Sequence, residues 1–224
     1  MIQLFWLRTD LRVADNTALS QALSNGPTVA VYLITPQQWL AHDDAPCKVD
    51  FWLRNLACLR EQLGKLNIPL LIRSCDDWQQ APATLLQLCR QIGAGAVHCN
   101  AEYGIHETRR DQACSSLLEP QGIAVTAHFD QLLLKPGSVL TQSGNYFQVF
   151  SQFRKVCYQR LHRSLPACLP YPAAQAALPV SSDELPTTVS GFTPPDASLR
   201  QLWPAGETAA QQRLQQFAEQ YMDA

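Results

Sequence analysis

From residue 2 to about residue 129 the chain alternates short apolar runs with longer stretches whose apolar residues recur at helical spacing. That alternation is the pattern of a parallel sheet wrapped by helices. Five strands are predicted, over 2–6, 29–34, 70–73, 96–99 and 124–127. Each is short, apolar and bounded by turn-type or polar residues, as strands buried on both faces are. The clearest helix carries Phe51, Trp52, Leu56, Leu59, Leu63 and Leu66, whose spacing places them on one stripe facing the sheet, where they read as core.

After the fifth strand the pattern loosens. Between Leu133 and Tyr146, Gly137, Ser138, Gly144 and Asn145 mark a bridge leaving the sheet, and the aromatic run from Tyr146 to Phe153 opens a helix. Residues 164–203 hold seven of the fifteen prolines, a composition that resists packing and reads as a linker wrapping or leaving the domain. Helical periodicity returns at Gly206 and Glu207, with Leu214, Phe217 and Tyr221 on one side. The chain therefore divides into an α/β domain (1–135), a bridge and helix packed on it (136–163), a linker (164–203) and the start of a further domain (204–224). The fold class is α/β: a Rossmann-like, doubly wound, five-stranded parallel sheet, followed by a proline-rich linker and a terminal helix.

Length and composition agree: 224 residues suffice for one α/β domain with an appendage, and 46% apolar residues support a sizeable core. No apolar run approaches the roughly 20 residues that cross a bilayer, and the opening residues lack the pattern of a secretory signal, so a cytoplasmic location is expected. The eight cysteines stand at 47, 58, 75, 89, 99, 114, 157 and 168 with no Cys-x-x-Cys among them, which argues against a metal site or a redox pair. A net charge of −2, with Lys and Arg spread along the chain, leaves no electrostatic footprint for nucleic acid. The chain alone is expected to be a monomer that binds DNA weakly or not at all.

Candidate chemistry is sought at the carboxyl ends of the strands, where open parallel sheets bind ligands. No phosphate-binding glycine loop follows a strand; Gly93-Ala94-Gly95 precedes the fourth strand and reads as a helix cap and turn. After the first strand, Arg8-Thr9-Asp10-Leu11-Arg12-Val13-Ala14-Asp15-Asn16 mixes basic and acidic residues. Taken alone it reads as local ion pairs among Arg8, Asp10 and Arg12, with Asp15 capping the next helix. After the fourth strand, the segment from Asn100 to Asp111 reads as a turn and a helix start, with Glu107 near the positive end of the helix dipole.

Together these segments resemble the DNA photolyase and cryptochrome family, in order along nearly the whole chain. The run from Phe5 to Leu19 is similar to the family's opening Trp-Phe-Arg-x-Asp-Leu-Arg-x-x-Asp-Asn-x-Ala-Leu, with Leu7 where Phe is usual. Asn100-Ala101-Glu102-Tyr103 and Arg109-Arg110-Asp111 resemble its Asn-x-x-Tyr and Arg-x-x-Asp patterns. Pro136-Gly137-Ser138-Val139 and the stretch from Tyr146 to Phe150 resemble its bridge, and the stretch from Trp203 to Ala210 the start of its second domain.

The resemblance implies light-driven repair of cyclobutane pyrimidine dimers in an intact parent, by electron transfer from reduced FAD in a helical carboxy-terminal domain that also receives the lesion. The family's flavin-binding stretch is expected to begin just past Ala224. No residue of this chain is then catalytic, the chain alone is expected to be inactive, and it would meet damaged DNA only through that helical partner domain. The amino-terminal domain of the family holds an accessory light-harvesting pigment, methenyltetrahydrofolate or 8-hydroxy-5-deazaflavin. In folate-type members the contacts are a His after strand two and an Asn-Glu pair after strand four. His42 and Glu107 match by position, and His106 stands in place of the Asn. Folate is the expected pigment, with Lys48 available to a deazaflavin's acidic tail as the alternative. A stand-alone binding module and a cryptochrome-type light receptor are the other two readings of the whole.

Overall fold

The computed structural model describes residues 1–222. Strands β1 (Ile2–Leu7), β2 (Thr28–Ile34), β3 (Leu70–Ser74), β4 (Ala94–Asn100) and β5 (Ala124–His128) form one parallel sheet in the order β3-β2-β1-β4-β5. All five expected strands are present, each extended by a residue or two at its ends. Successive side chains point to opposite faces, so Phe5 and Leu7 enter one core layer and Leu4 and Trp6 the other. Helices α1 (Thr17–Asn25) and α3 (Pro46–Lys65) cover the first face. Helices α4 (Ala81–Ile92) and α5 (Ile105–Leu118) cover the second, and the short α2 (Pro36–Ala41) sits between β2 and α3. The fold is the doubly wound α/β sheet the pattern implies.

The core stripe of α3 runs through Val49, Leu53, Leu56, Leu59 and Leu63. Phe51 falls off it and Trp52 lies at its margin, both half-buried, because the inward face is set by Val49, Leu53 and Leu56. Gly93 caps α4 in the left-handed conformation (φ 69°), while Ala94 and Gly95 already belong to β4. The cap of α1 is Asn16, whose side chain accepts from the Leu19 amide. Asp15 instead takes a positive φ of 49° and accepts from the Leu169 amide.

The proline-rich segment is no loose tether. Ser182 and Asp183 bond the Leu70 and Ile72 amides, and the Asp183 amide donates to the Leu70 carbonyl, so the segment covers the open edge of β3. Val189 and Phe192 are buried in the core layer beneath α3. A short helix α7 (Ala197–Leu202) follows, anchored by Arg200, which pairs with the buried Asp50 of α3. Composition marks such a segment as hard to pack on itself; it does not register that a neighbouring sheet supplies the partners.

Helix α6 (Phe150–Arg163) has no buried residue, a looser association with the sheet layer than expected; Arg160 donates to the Ser138 carbonyl of the preceding bridge. Helix α8 (Glu207–Tyr221) is anchored at its first turn, where the Glu207 carboxylate accepts from the Val13 and Ala14 amides, whereas Leu214, Phe217 and Tyr221 are exposed. No helix among the described residues is long and apolar enough to cross a membrane.

One polar pair sits inside the fold. The rings of His98 and His128 stack with centroids 5.2 Å apart, His98 Nδ1 lies 2.9 Å from His128 Nε2, and His98 Nε2 lies 3.0 Å from Gln3 Oε1. Gln3 Nε2 donates to the Met1 carbonyl, leaving Oε1 to accept from His98. With both rings neutral, His98 Nδ1 then accepts from His128 Nε2. Burial lowers both pKa values, a charge on His128 would lower that of His98 further, and Asp130 only partly offsets burial at His128. Protons therefore bind the unfolded chain first: stability is full above the ordinary histidine range near 6.5 and declines as pH falls from there through the lowered folded values. Thermal melts between pH 7.5 and 5 should show this loss, and His98→Gln should flatten it.

Candidate functional site

The order of strands reverses direction at β1 and β4, and the loops leaving the carboxyl ends of β1, β2, β3 and β4 enclose a cleft of about 150 Å³. Its walls are rich in indole: Trp6 from β1, Trp39 from α2, Trp52 from α3 and Trp78 after β3. Trp39 and Trp52 rings lie 5.1 Å apart. The Arg110 guanidinium lies over both Trp6 and Trp78, 4.9 and 4.7 Å from their centroids, an arrangement that fixes a buried cation against two aromatic faces.

Beneath the cleft runs a polar network that the β1 loop and the start of α5 build together. Arg8 donates through Nη1 to both carboxylate oxygens of Asp111 at 2.6 and 2.7 Å, and through Nη2 to the Asn100 carbonyl. Arg110 bonds Asp111 and Glu102, and Glu102 also accepts from the Thr9 hydroxyl. Burial acts to raise the pKa of Glu102, but Arg8 and Arg110, with the Thr9 hydrogen bond, hold it below the usual carboxylate range. The buried Asn100 side chain donates to Asp10 and Asn16 and accepts from the Ala18 amide, joining β4 to α1. Local ion pairing within the β1 loop is thus replaced by long-range pairing: Arg8 reaches α5, and Arg12 reaches Asp130 at 2.6 Å. Asp10 accepts from the Arg8 amide and pairs with no arginine among the described residues.

At the mouth of the cleft stand His42, which follows α2, and His106 and Glu107 in the first turn of α5. The His42 ring lies 5.3 Å from His106 and 5.4 Å from Trp78 by centroid. Lys48 lines the same cleft, its ammonium 2.5 Å from Asp44 and 4.8 Å from the Trp52 ring centre. Three of the four positions singled out in the sequence, His42, Lys48 and Glu107, therefore line one opening, and the exposed His106 stands beside it against the His42 ring. Trp78, Trp39, Thr35 and Tyr32 are among the cleft residues that sequence reasoning missed, and Arg110 was read only as part of a motif. Trp78 comes from the loop after β3, where no motif pointed, and Thr35 and Tyr32 resemble ordinary strand residues. Burial, with Glu102, Asp44 and Asp10 nearby, pushes the Tyr32 phenol pKa up, so its hydroxyl stays neutral. The Thr35 hydroxyl is buried on the cleft wall without a hydrogen-bond partner among the described residues.

Glu107 is the third helical residue after the cap residue Gly104, and its carboxylate folds back over that glycine. A side chain at 104 would displace the carboxylate, while the backbone there (φ −66°, ψ 153°) suits any residue. Gly104→Ala is expected to leave the melting temperature nearly unchanged and to weaken any ligand that Glu107 holds, which parallel melting and binding titrations would separate.

A doubly wound sheet with an aromatic, hydrogen-bonding cleft at its switch point defines an α/β ligand-binding domain of the Rossmann-like kind. The DNA photolyase family model matches residues 3–173, and the chain belongs to that family. It is similar to the deoxyribodipyrimidine photo-lyase of Vibrio cholerae, with 42% identity over 69% of this chain and 33% of that protein. Among solved structures it is similar to the cryptochrome of Synechocystis sp. PCC6803 (TM-score 0.81, 24% identity, 97% of this chain and 46% of that one). It is also similar to an archaeal photolyase from Sulfolobus tokodaii (TM-score 0.63, 21% identity, 87% of this chain and 40% of that one). That structure contains two FAD molecules and is described as implying a novel light-harvesting cofactor. The chain spans between a third and a half of the length of these relatives and corresponds to their amino-terminal domain.

Proposed function

We propose that this chain is the light-harvesting-pigment domain of a deoxyribodipyrimidine photolyase, and that its cleft holds methenyltetrahydrofolate through His42, His106 and Glu107. The observation that carries the reading is the convergence of His42 and Glu107 on one indole-lined opening at the switch point of the sheet, with the His106 ring against that of His42. The donor set fits a pterin. A carboxylate at 107 accepts adjacent ring N–H groups, imidazoles at 42 and 106 stack or hydrogen-bond, and the unpartnered Thr35 hydroxyl can bond a heteroatom. The cleft is smaller than the roughly 300–1,000 Å³ of sites that enclose whole ligands, so it takes one ring system and leaves the remainder of a folate outside. Bound there, the pigment supplies absorption of near-ultraviolet light and transfer of that excitation.

Deazaflavin is the alternative pigment. Lys48, the residue available to its acidic tail, already has its charge met by Asp44, which favours folate. In the parent protein the partner is a helical FAD-binding domain, and repair of pyrimidine dimers belongs to the assembled pair of domains. The test is the absorption spectrum of the chain after mixing with methenyltetrahydrofolate and gel filtration. A retained near-ultraviolet band that is lost in Glu107→Ala and reduced in His42→Ala is expected. Retention of 8-hydroxy-5-deazaflavin but not folate would overturn the choice of pigment, and retention of neither would refute a site complete in this domain.

A further inference from the structure

The cleft takes the pterin ring system of a folate and leaves the aminobenzoyl ring and its amide-linked glutamate outside. A second cavity, of about 260 Å³, lies beside it, and Lys48 lines both. On α3, Trp52 lines the cleft and the adjoining Phe51 lines the second cavity, about one helical turn, roughly 5.4 Å, beyond Lys48. Pro195, Leu199 and Trp203, from the linker and the end of α7, complete its apolar lining. The ammonium of Lys48 is engaged by Asp44, so Lys48 offers the cavity its aliphatic stem.

Both aromatic walls carry a guanidinium. Arg54, which also lines the cavity, lies 5.3 Å from the Phe51 ring centre, and Arg213 lies 4.6 Å from that of Trp203. Arg54 donates through Nε to Asp50 and through Nη1 to the Trp203 carbonyl, while its Nη2 donates to no described residue. Arg200 pairs with the same Asp50, so one carboxylate meets two guanidiniums and one positive charge is left over. An aromatic slot with a surplus cation and a free N–H donor suits a benzoyl ring that bears a carboxylate.

We infer that this cavity seats the aminobenzoyl-glutamate tail of a folate whose pterin occupies the cleft. Phe51 and Trp203 contact the ring, and Arg54 Nη2 donates to a tail carboxylate. The inference rests on the folate reading of the cleft and assigns the half of the ligand that the cleft leaves out. An uncharged apolar group would fill the same walls but leave the surplus positive charge unanswered, which is why the tail of an acidic ligand is the better occupant.

The test uses the full 224-residue chain and two probes, methenyltetrahydrofolate and p-aminobenzoyl-glutamate, which is the tail without the pterin. Cys47 is exposed and lines the cavity, whereas the exposed Cys168 does not. Millimolar p-aminobenzoyl-glutamate should slow alkylation of Cys47, read by peptide mass spectrometry, and leave Cys168 unchanged. p-Aminobenzamide, which lacks the carboxylates, should protect less. Trp203→Ala and Arg54→Gln should each weaken both probes about three- to tenfold. Trp203 is half exposed and Asp50 keeps Arg200 as a partner, so circular dichroism should show both variants folded. Glu107→Gln should weaken folate alone, which separates the cavity from the cleft. Unprotected Cys47, or folate affinity that both cavity variants leave unchanged, would overturn the tail seat and leave the pterin reading standing. Protection by the fragment with no binding of folate would overturn the pigment reading, and with it the tail assignment, and leave a site for aromatic carboxylates. Equal protection by p-aminobenzamide would overturn the carboxylate contact and assign the cavity to an apolar group.

Discussion

Replacing Arg8 with methionine is expected to destabilise the folded chain by about 3 kcal/mol, the lower end of the cost of breaking a buried ion pair. The side chain of Arg8 is 4% exposed and bonds Asp111 twice, the Asn100 carbonyl once and approaches Glu102 at 3.6 Å. Methionine fills the volume but leaves the carboxylates with Arg110 as their remaining cationic partner. That remaining partner is the reason for the lower figure. For a chain of this size about 3 kcal/mol corresponds to a fall in melting temperature of about 6–12 °C. Arg12→Met is the comparison: Arg12 is 32% exposed and pairs with Asp130 alone, so its loss should be clearly smaller. The acid limb should also change. Because Glu102 ionises below the usual carboxylate range when folded, its contribution is full above the unfolded value and is lost as pH falls through the lowered one. Removing Arg8 brings the two values closer together and flattens that limb. Equal losses in the two variants would show that the network beneath the cleft does not hold the loops together.

The second large effect is expected on pigment retention. Glu107 is half-buried and makes no hydrogen bond or ion pair with another described residue, so its carboxylate is free for a ligand. Glu107→Gln replaces an ionised acceptor by a neutral amide with its own donor, and hydrogen bonds to charged groups contribute about 1.5–3 kcal/mol. Folate affinity should therefore fall about tenfold to a hundredfold, while the melting temperature of the free chain stays constant. His42→Ala removes a ring contact or a neutral hydrogen bond, worth about 0.5–1.5 kcal/mol, so its effect should be the smaller of the two. If Glu107→Gln binds as the original chain does, a role for this carboxylate in holding the pigment is excluded.

Much of the fold is legible along the chain because the strands of a covered parallel sheet must be apolar on both faces, which makes 29–34 and 70–73 readable as they stand. The position of the cleft was legible too, since the loops after β1, β2 and β4 carry its mouth. What could not be read is pairing at a distance. Nothing local to Arg8 announces Asp111, and nothing local to Asn100 announces that it bonds Asp10, Asn16 and the Ala18 amide. Much of the first motif turns out to build this scaffold, while the residues matched to the pigment stand above it. Val189 and Phe192 were hidden for a related reason: a short apolar residue in a proline-rich segment looks idle until a neighbouring layer is known. The placement of Trp78 over Arg110 is equally a product of the tertiary fold.

Indole fluorescence gives the most direct measure of whether the cleft is the pigment site, because four of the five tryptophans line it. Adding methenyltetrahydrofolate to the purified chain should quench indole emission saturably and let indole excitation drive pigment emission, with Glu107→Gln and Gly104→Ala shifting the titration to higher concentration. Absence of saturable quenching, or quenching that both variants leave unchanged, would contradict folate binding in this cleft.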